Sequence, residues 1–274
     1  VNSKGENKFL VLLNNEVSRS VKFMIPGFIL FFIAHILIVV RGINYFNNEV
    51  KGFIGEGKSI SEYVSTRGLI SLNKVFENNL ILFLICFGVA LILVYAIAIW
   101  LREWYGNNKT IYTLLVLPIS KHKIILSKFC AIFLLGTTFI STQIATLFVD
   151  NIIFKAFLNK EVMQKSNPIE AFLNGSRMRI FPKNLIEMSI YILIIIAIVM
   201  FIFNGVLIER SFKFKGIILD IILCAVIIAV YIMPRTKMHF FLDEYLLYII
   251  LISIIIVLFN YFSAYYLLRK KINI

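Results

Sequence analysis

The chain has 274 residues, of which 60% are hydrophobic and 16% charged, with a formal net charge of +13. Its mean hydropathy is +0.88. Soluble proteins average about 45–50% apolar and about 25% charged residues, so this composition excludes a water-soluble globular fold, and its Ile, Leu and Phe content excludes a disordered chain.

A bilayer core about 30 Å thick requires about 20 helical residues at about 1.5 Å each. Before the first run of that kind, Phe9-Leu10-Val11-Leu12-Leu13, Val17, Val21 and Phe23 alternate with Asn14, Asn15, Glu16, Ser18 and Arg19. This pattern predicts an amphipathic helix lying in the membrane interface over residues 1–22. Six apolar runs of 17 to 24 residues follow, at 23–40, 80–101, 129–149, 185–208, 217–233 and 245–268. Residues 23–268 therefore read as a six-helix transmembrane domain, and 269–274 as a basic tail. The class is all-α, because barrel strands would alternate over about ten residues and these runs are continuous. The first run is too long for the apolar core of a signal peptide, and no small-residue cleavage site follows it.

Orientation is read from Lys and Arg. With both termini cytoplasmic, the inner segments hold 15 Lys/Arg in 63 residues and the outer ones 13 in 85. Acidic residues divide the other way, 4 inside and 9 outside. The basic residues lie mostly between apolar runs, where membrane proteins place them, so nucleic-acid binding is not expected. Two outer segments, 41–79 and 150–184, are long for membrane connections and hold enough apolar residues to predict partial structure.

Gly52-Phe53-Ile54-Gly55-Glu56-Gly57-Lys58-Ser59 matches the phosphate-loop pattern GxxxxGK[ST] in every position. That loop cradles phosphates between a buried strand and a helix. Residues 44–51 do not read as a buried strand, and the apolar run Leu147-Phe148-Val149-Asp150, which resembles the second nucleotide-binding motif, is the outer end of a span. A glycine turn is the expectation. Catalytic residues and a metal site are likewise not expected. His35, His122 and His239 are far apart, and Cys86, Cys130 and Cys224 fall inside apolar runs without a CxxC spacing.

Few ionisable residues lie at membrane depth, where each is costly. His35 reads as a hydrogen-bonded structural residue. Asp220, one turn into the fifth run, can anchor at the interface or pair with Lys213 or Lys215. Thr138, Ser141, Thr142, Ala145 and Thr146 recur at helical spacing, a face suited to helix packing or to lining a translocation path.

The connection from Arg102 to Lys128 is the most informative stretch. Thr110 can cap a short helix with Ile111, Leu114, Leu115 and Leu117 on its apolar side. Pro118 ends that helix, and Ser120 can cap the next. This stretch resembles the corresponding connection in permease subunits of ABC exporters of the type-2 class, which have six spans and both termini inside. Glu103, Thr110, Leu114, Leu115, Pro118, Ser120, Lys121 and Lys128 match the family's pattern of an acid, a turn, paired leucines, Leu-Pro-x-Ser-basic and a following lysine. Tyr112 departs from it, where many relatives carry a second acid.

The resemblance implies a half-transporter that pairs with a second permease copy or paralogue and with two ABC ATPase subunits, which would bind ATP and magnesium. It implies an ATPase-coupling role for Glu103, Thr110, Leu114, Leu115, Pro118, Ser120 and Lys121, no cofactor in this chain, and a bacterial plasma-membrane location. The expected cargo is an amphipathic or antimicrobial peptide or a small hydrophobic compound. The rival is a membrane scaffold or sensor that binds a ligand outside and a soluble partner inside. Single cysteines at Ser61 and Ser176, in a cysteine-free background, are expected to react with an impermeant maleimide on intact cells, and one at Ser211 is not. Labelling at Ser211 alone reverses the orientation.

Overall fold

A computed structural model describes residues 8–105, 111, 114, 116, 119–174, 181–182, 184–234 and 241–270. Among them the regular elements are helices: α1 (Lys8–Gly55), α2 (Ile60–Arg67), α3 (Leu72–Phe76), α4 (Asn79–Tyr105), α5 (Lys121–Phe157), α6 (Pro168–Leu173), α7 (Leu185–Phe212), α8 (Phe214–Met233) and α9 (Leu242–Lys270). Six of these, α1, α4, α5, α7, α8 and α9, are long and apolar enough to cross a membrane. They coincide in order with the six apolar runs. Large apolar side chains stay exposed along them, among them Leu30, Phe83, Ile140, Ile195, Ile221 and Ile255. Such surface is stable against lipid and not against water. The chain is a multi-pass membrane protein.

Three expectations are corrected. Residues 8–22 do not form a separate interfacial helix, because α1 runs unbroken from Lys8 to Gly55 with Pro26 inside it. Two of their polar residues, Glu16 and Arg19, find partners within the protein, described below. The fourth and fifth spans are not joined by an eight-residue loop. Helix α7 continues to Phe212, and Lys213, with φ 54°, turns the chain directly into α8. Gly216 permits that tight turn, since a Cβ there would stand 2.5 Å from the carbonyl oxygen of Ile208. Finally, the connections expected over 41–79 and 150–184 are shorter than the apolar runs imply, because α1 and α5 extend well beyond those runs.

The chain divides into two compact units. One comprises Val1–Ser20, Ile92–Phe133 and Asn184–Ile274, the other Val21–Leu91 and Leu134–Lys183. In the first, α7 packs along α9, where the buried Asn204 amide donates to Asn260 Oδ1 at 2.9 Å. Asn260 in turn donates to the Ile256 carbonyl, so a polar pair joins the helices inside an apolar contact. Tyr231 and Ser253 hydroxyls, 2.8 Å apart, fasten α8 to α9. Trp100 of α4 is fully buried and meets Phe203 of α7 edge-on at 5.6 Å.

In the second unit the expected partial structure of the long connections takes the form of α2, α3 and α6. Ser59 and Glu62 form a reciprocal capping box at the start of α2. Tyr63 of α2 packs edge-on against Phe53 of α1 at 5.4 Å, and Arg67 forms an ion pair with Glu49. Leu72, Val75 and Phe76 of α3 are buried, and Phe76 meets Phe172 of α6 at 5.7 Å and 79°. Between α2 and α3, the Ile70 N–H donates to the Val162 carbonyl at 2.8 Å, and the Gln164 N–H donates back to Ile70 at 2.9 Å. The two connections are thereby laced together at one parallel bridge, Ile70 with Met163.

Phe76→Ala removes the ring that joins α3 to α6, a loss of about 3–5 kcal/mol for a fully buried Phe. Limited trypsinolysis is expected to cut the variant at Arg67 and Lys74 well before the parent chain. Equal cleavage rates would show that α3 and α6 do not stabilise one another.

Candidate functional site

The first unit holds a buried charge network built from three helices. Lys128 in the first turns of α5 is 1% exposed. Its ammonium donates to Glu16 Oε1 of α1 at 2.5 Å and to Glu103 Oε1 of α4 at 3.3 Å. The other oxygen of Glu16 accepts from Arg102 at 2.6 Å. Arg19, one turn after Glu16, reaches Glu103 at 3.4 Å. The Lys128 ammonium also lies 5.2 Å from the Trp100 ring centroid, within cation–π range. Two carboxylates thus face three cations, and each buried charge has a partner of opposite sign.

The helical register explains why these residues meet. Glu16 and Arg19 are three apart on α1 and share a face. Arg102 and Glu103 end α4, and Lys128 lies two turns into α5. Glu103 and Lys128 therefore bracket the connection between the second and third spans. The network holds the two ends of that connection to each other and to the start of α1. Beside it, the Arg210 guanidinium near the end of α7 stacks 4.1 Å from the Tyr105 ring and 5.9 Å from Trp104. His122 at the start of α5 stacks on Tyr265 of α9 at 3.8 Å, and its Nδ1 lies 2.7 Å from the Tyr261 hydroxyl. Both ends of the connection are thus anchored by aromatic contacts as well as by charge.

Of the expected coupling residues, Glu103 is buried in this network. Leu114 is helical and half-buried, and Ile111, from the same expected apolar side, is helical and fully buried. Val116 is 70% exposed. Ser120 is exposed and directly precedes α5, and Lys121 is half-buried. Thr110, Leu115 and Pro118 lie outside the described residues.

The second unit has its own buried polar group. His35 Nδ1 of α1 stands 3.2 Å from Asp150 Oδ2 of α5, with both side chains 0% exposed. Phe31 stacks on the His35 ring at 6.0 Å. Thr146 and Gln143, one and two turns before Asp150, are buried on the same face, and the Thr146 hydroxyl donates to the Gln143 carbonyl at 2.6 Å. The expectation for His35 was a hydrogen-bonded structural residue; the structure gives it a close carboxylate neighbour without hydrogen-bond geometry between them. That neighbour is the aspartate of the false second motif.

Thr138, Ser141 and Thr142 do not converge on another polar group. Each donates to the carbonyl four residues earlier in α5, at 2.7, 2.9 and 2.9 Å. Thr138 and Ser141 are exposed and Thr142 half-buried. Their hydroxyls satisfied, they present a small-residue surface outward. Asp220 forms no ion pair with Lys213 or Lys215 among the described residues. It faces Gly205 of α7 instead, where a Cβ would lie 3.6 Å from its carboxylate.

The phosphate-loop match dissolves in the structure. Gly52 and Gly55 belong to the last turn of α1, so no strand precedes the loop. The Glu56 and Gly57 amides donate to the carbonyls of Gly52 and Ile54, which engages them within the turn. Gly57 takes φ 81° as the turn residue, and Ser59 caps α2. Lys58 donates to Glu56 at 2.6 Å, and this bond holds the Glu56 carboxyl below its ordinary range. Among the described residues no cluster of three or more His, Cys, Asp or Glu could hold a metal ion. Comparison with protein-family models, curated proteins and solved structures finds no match to this chain.

Lys128→Ala leaves two carboxylates without their shared cation, and breaking a buried pair in this way costs about 3–5 kcal/mol. The variant is expected to unfold at lower temperature in detergent. Glu16→Gln combined with Lys128→Met removes both charges and is expected to recover part of the loss. A Lys128→Ala chain as stable as the parent would show that the network bears no load.

Proposed function

We propose that this chain is the permease subunit of an ATP-driven exporter of the type-2 ABC class, working with a second permease and two separate ATPase subunits in a bacterial plasma membrane. The observation that supports this reading is the network around Lys128. Glu103 and Lys128, which match the exporter pattern at either end of the connection, are paired with one another and with Glu16 and Arg19. A force applied to the connection between them is carried into α1, α4 and α5 together, because separating the charges would strand carboxylates in an apolar interior.

In this mechanism the short helical segment that includes Ile111, Leu114 and Val116 docks on an ATPase subunit. Ile111 holds the segment to its own chain, while the partly exposed Leu114 and the exposed Val116 enter an apolar groove of the partner. Thr110, Leu115 and Pro118 are assigned to the same coupling segment by the exporter-like pattern, and Ser120 directly precedes α5, which Lys121 begins. ATP binding closes the ATPase pair, the segment moves, and the network transmits the movement to the spans. The substrate path runs at the interface between the two permeases, with Thr138, Ser141 and Thr142 on the outward face of α5 as candidate lining. Amphipathic peptides or small hydrophobic compounds suit an aromatic-rich protein with few charges at membrane depth.

The test is purification from native membranes, with the co-purifying protein identified by mass spectrometry and by its ATP hydrolysis. The parent chain is expected to retain an ABC ATPase. Leu114→Asp, which places a charge in an apolar groove, is expected to release it while the six spans still insert. Glu103→Gln is expected to keep the ATPase, since that residue acts from inside the permease. Undiminished ATPase yield with Leu114→Asp would remove the docking contact from the account.

A further inference from the structure

A cleft of about 790 Å³ opens in the second unit, lined by Lys155, Lys160, Met163, Lys165, Ser166 and Asn167. Three ammonium groups border it, and none of the three forms an ion pair among the described residues. All three lysines are exposed. A cleft with this charge and no internal counter-ion attracts an anion.

Two features make it more than a run of surface lysines. The first is rigidity. Lys160 and Lys165 lie on the segment that the Ile70 hydrogen bonds pin in place, with Leu158 and Val162 buried beneath them. The Asn167 side chain accepts from the Ile169 N–H and so fixes the far edge. The second is what lies next to the lysines. Lys155 is in the last turn of α5, and Ile144, Phe148 and Ile152 precede it by eleven, seven and three residues, on the same face. These three are 45%, 49% and 66% exposed. An exposed apolar stripe therefore runs along a membrane-spanning helix and ends at the basic cleft. A soluble anion would use the lysines and leave the stripe idle. A lipid uses both, with an acyl chain along the stripe and a phosphate among the ammonium groups.

We propose that this cleft binds the phosphate headgroup of an anionic membrane phospholipid in the leaflet where α5 ends, with Lys155, Lys160 and Lys165 holding the phosphate and the face of Ile144, Phe148 and Ile152 holding an acyl chain. The site is separate from the charge network and does not depend on the exporter reading. It also gives a role to basic residues on the side where charge-based topology expects fewer.

The experiment is native mass spectrometry of the full chain in mild detergent, with equal amounts of phosphatidylglycerol and phosphatidylcholine. The parent chain is expected to retain phosphatidylglycerol in preference. Each single substitution, Lys155→Ala, Lys160→Ala or Lys165→Ala, is expected to lower that retention about fivefold, the effect of one lysine at an anionic surface. Phosphatidylcholine retention stays unchanged in these variants. The triple Lys→Arg variant keeps the preference, and Ile152→Ser weakens retention of both lipids. Circular dichroism confirms that each variant remains helical. Equal retention of the two lipids by the parent chain overturns the proposal. So does an unchanged preference in the triple Lys→Ala variant, or displacement of phosphatidylglycerol by inorganic phosphate, which would identify a soluble anion as the ligand.

Discussion

A lysine ammonium held between two carboxylates inside an apolar protein is the interaction on which the rest of the first unit depends. Lys128 contacts Glu16 at 2.5 Å and Glu103 at 3.3 Å with almost no exposure to solvent. Such a group tolerates little rearrangement, because its attraction is strong only while the geometry is kept and its desolvation is already spent. It sets the position of the start of α1, the end of α4 and the start of α5 at once. Arg102 and Arg19 complete the charge balance, and Trp100 closes the apolar side of the site. The aromatic contacts of Arg210 with Tyr105 and of His122 with Tyr265 then attach α7 and α9 to the same region. The connection between the second and third spans leaves from this fixed base.

The second unit solves its polar problem differently. His35 and Asp150 bury one imidazole and one carboxylate against each other, with Phe31 over the ring. Above the apolar part of α1 and α5, the chain uses hydrogen bonds between connections, a capping box and aromatic edges rather than buried charge. The hydroxyls of Thr138, Ser141, Thr142 and Thr146 are satisfied within α5 itself.

The six spans were legible in the sequence because length and composition suffice to identify them, whichever residues they contact. The ends of the helices were not. Residues 8–22 look amphipathic by pattern, yet Glu16 and Arg19 face protein partners 84 to 112 residues away in sequence. No local rule reports that pairing. Glu103 and Lys128 were singled out only through the exporter-like pattern, and the structure supplies a physical reason for both residue types. The pairing of His35 with Asp150 had one weak signal, the spacing of Gln143, Thr146 and Asp150 on a single face. The Gly52–Ser59 string shows the opposite hazard. It satisfies a motif letter by letter, while the helix before it denies the loop its geometry. Ser59 ends that string and, with Glu62, forms the capping box that starts α2, a pairing the motif match does not report.

The claim that the network makes three helix ends behave as one is tested most directly by hydrogen–deuterium exchange on the Glu16→Gln chain in lipid nanodiscs. That substitution alters α1 alone. If the ends are mechanically joined, amide exchange rises together near Ser20, at the end of α4 around Glu103 and at the start of α5 around Lys128. Faster exchange confined to α1, with the ends of α4 and α5 unchanged, would contradict the account.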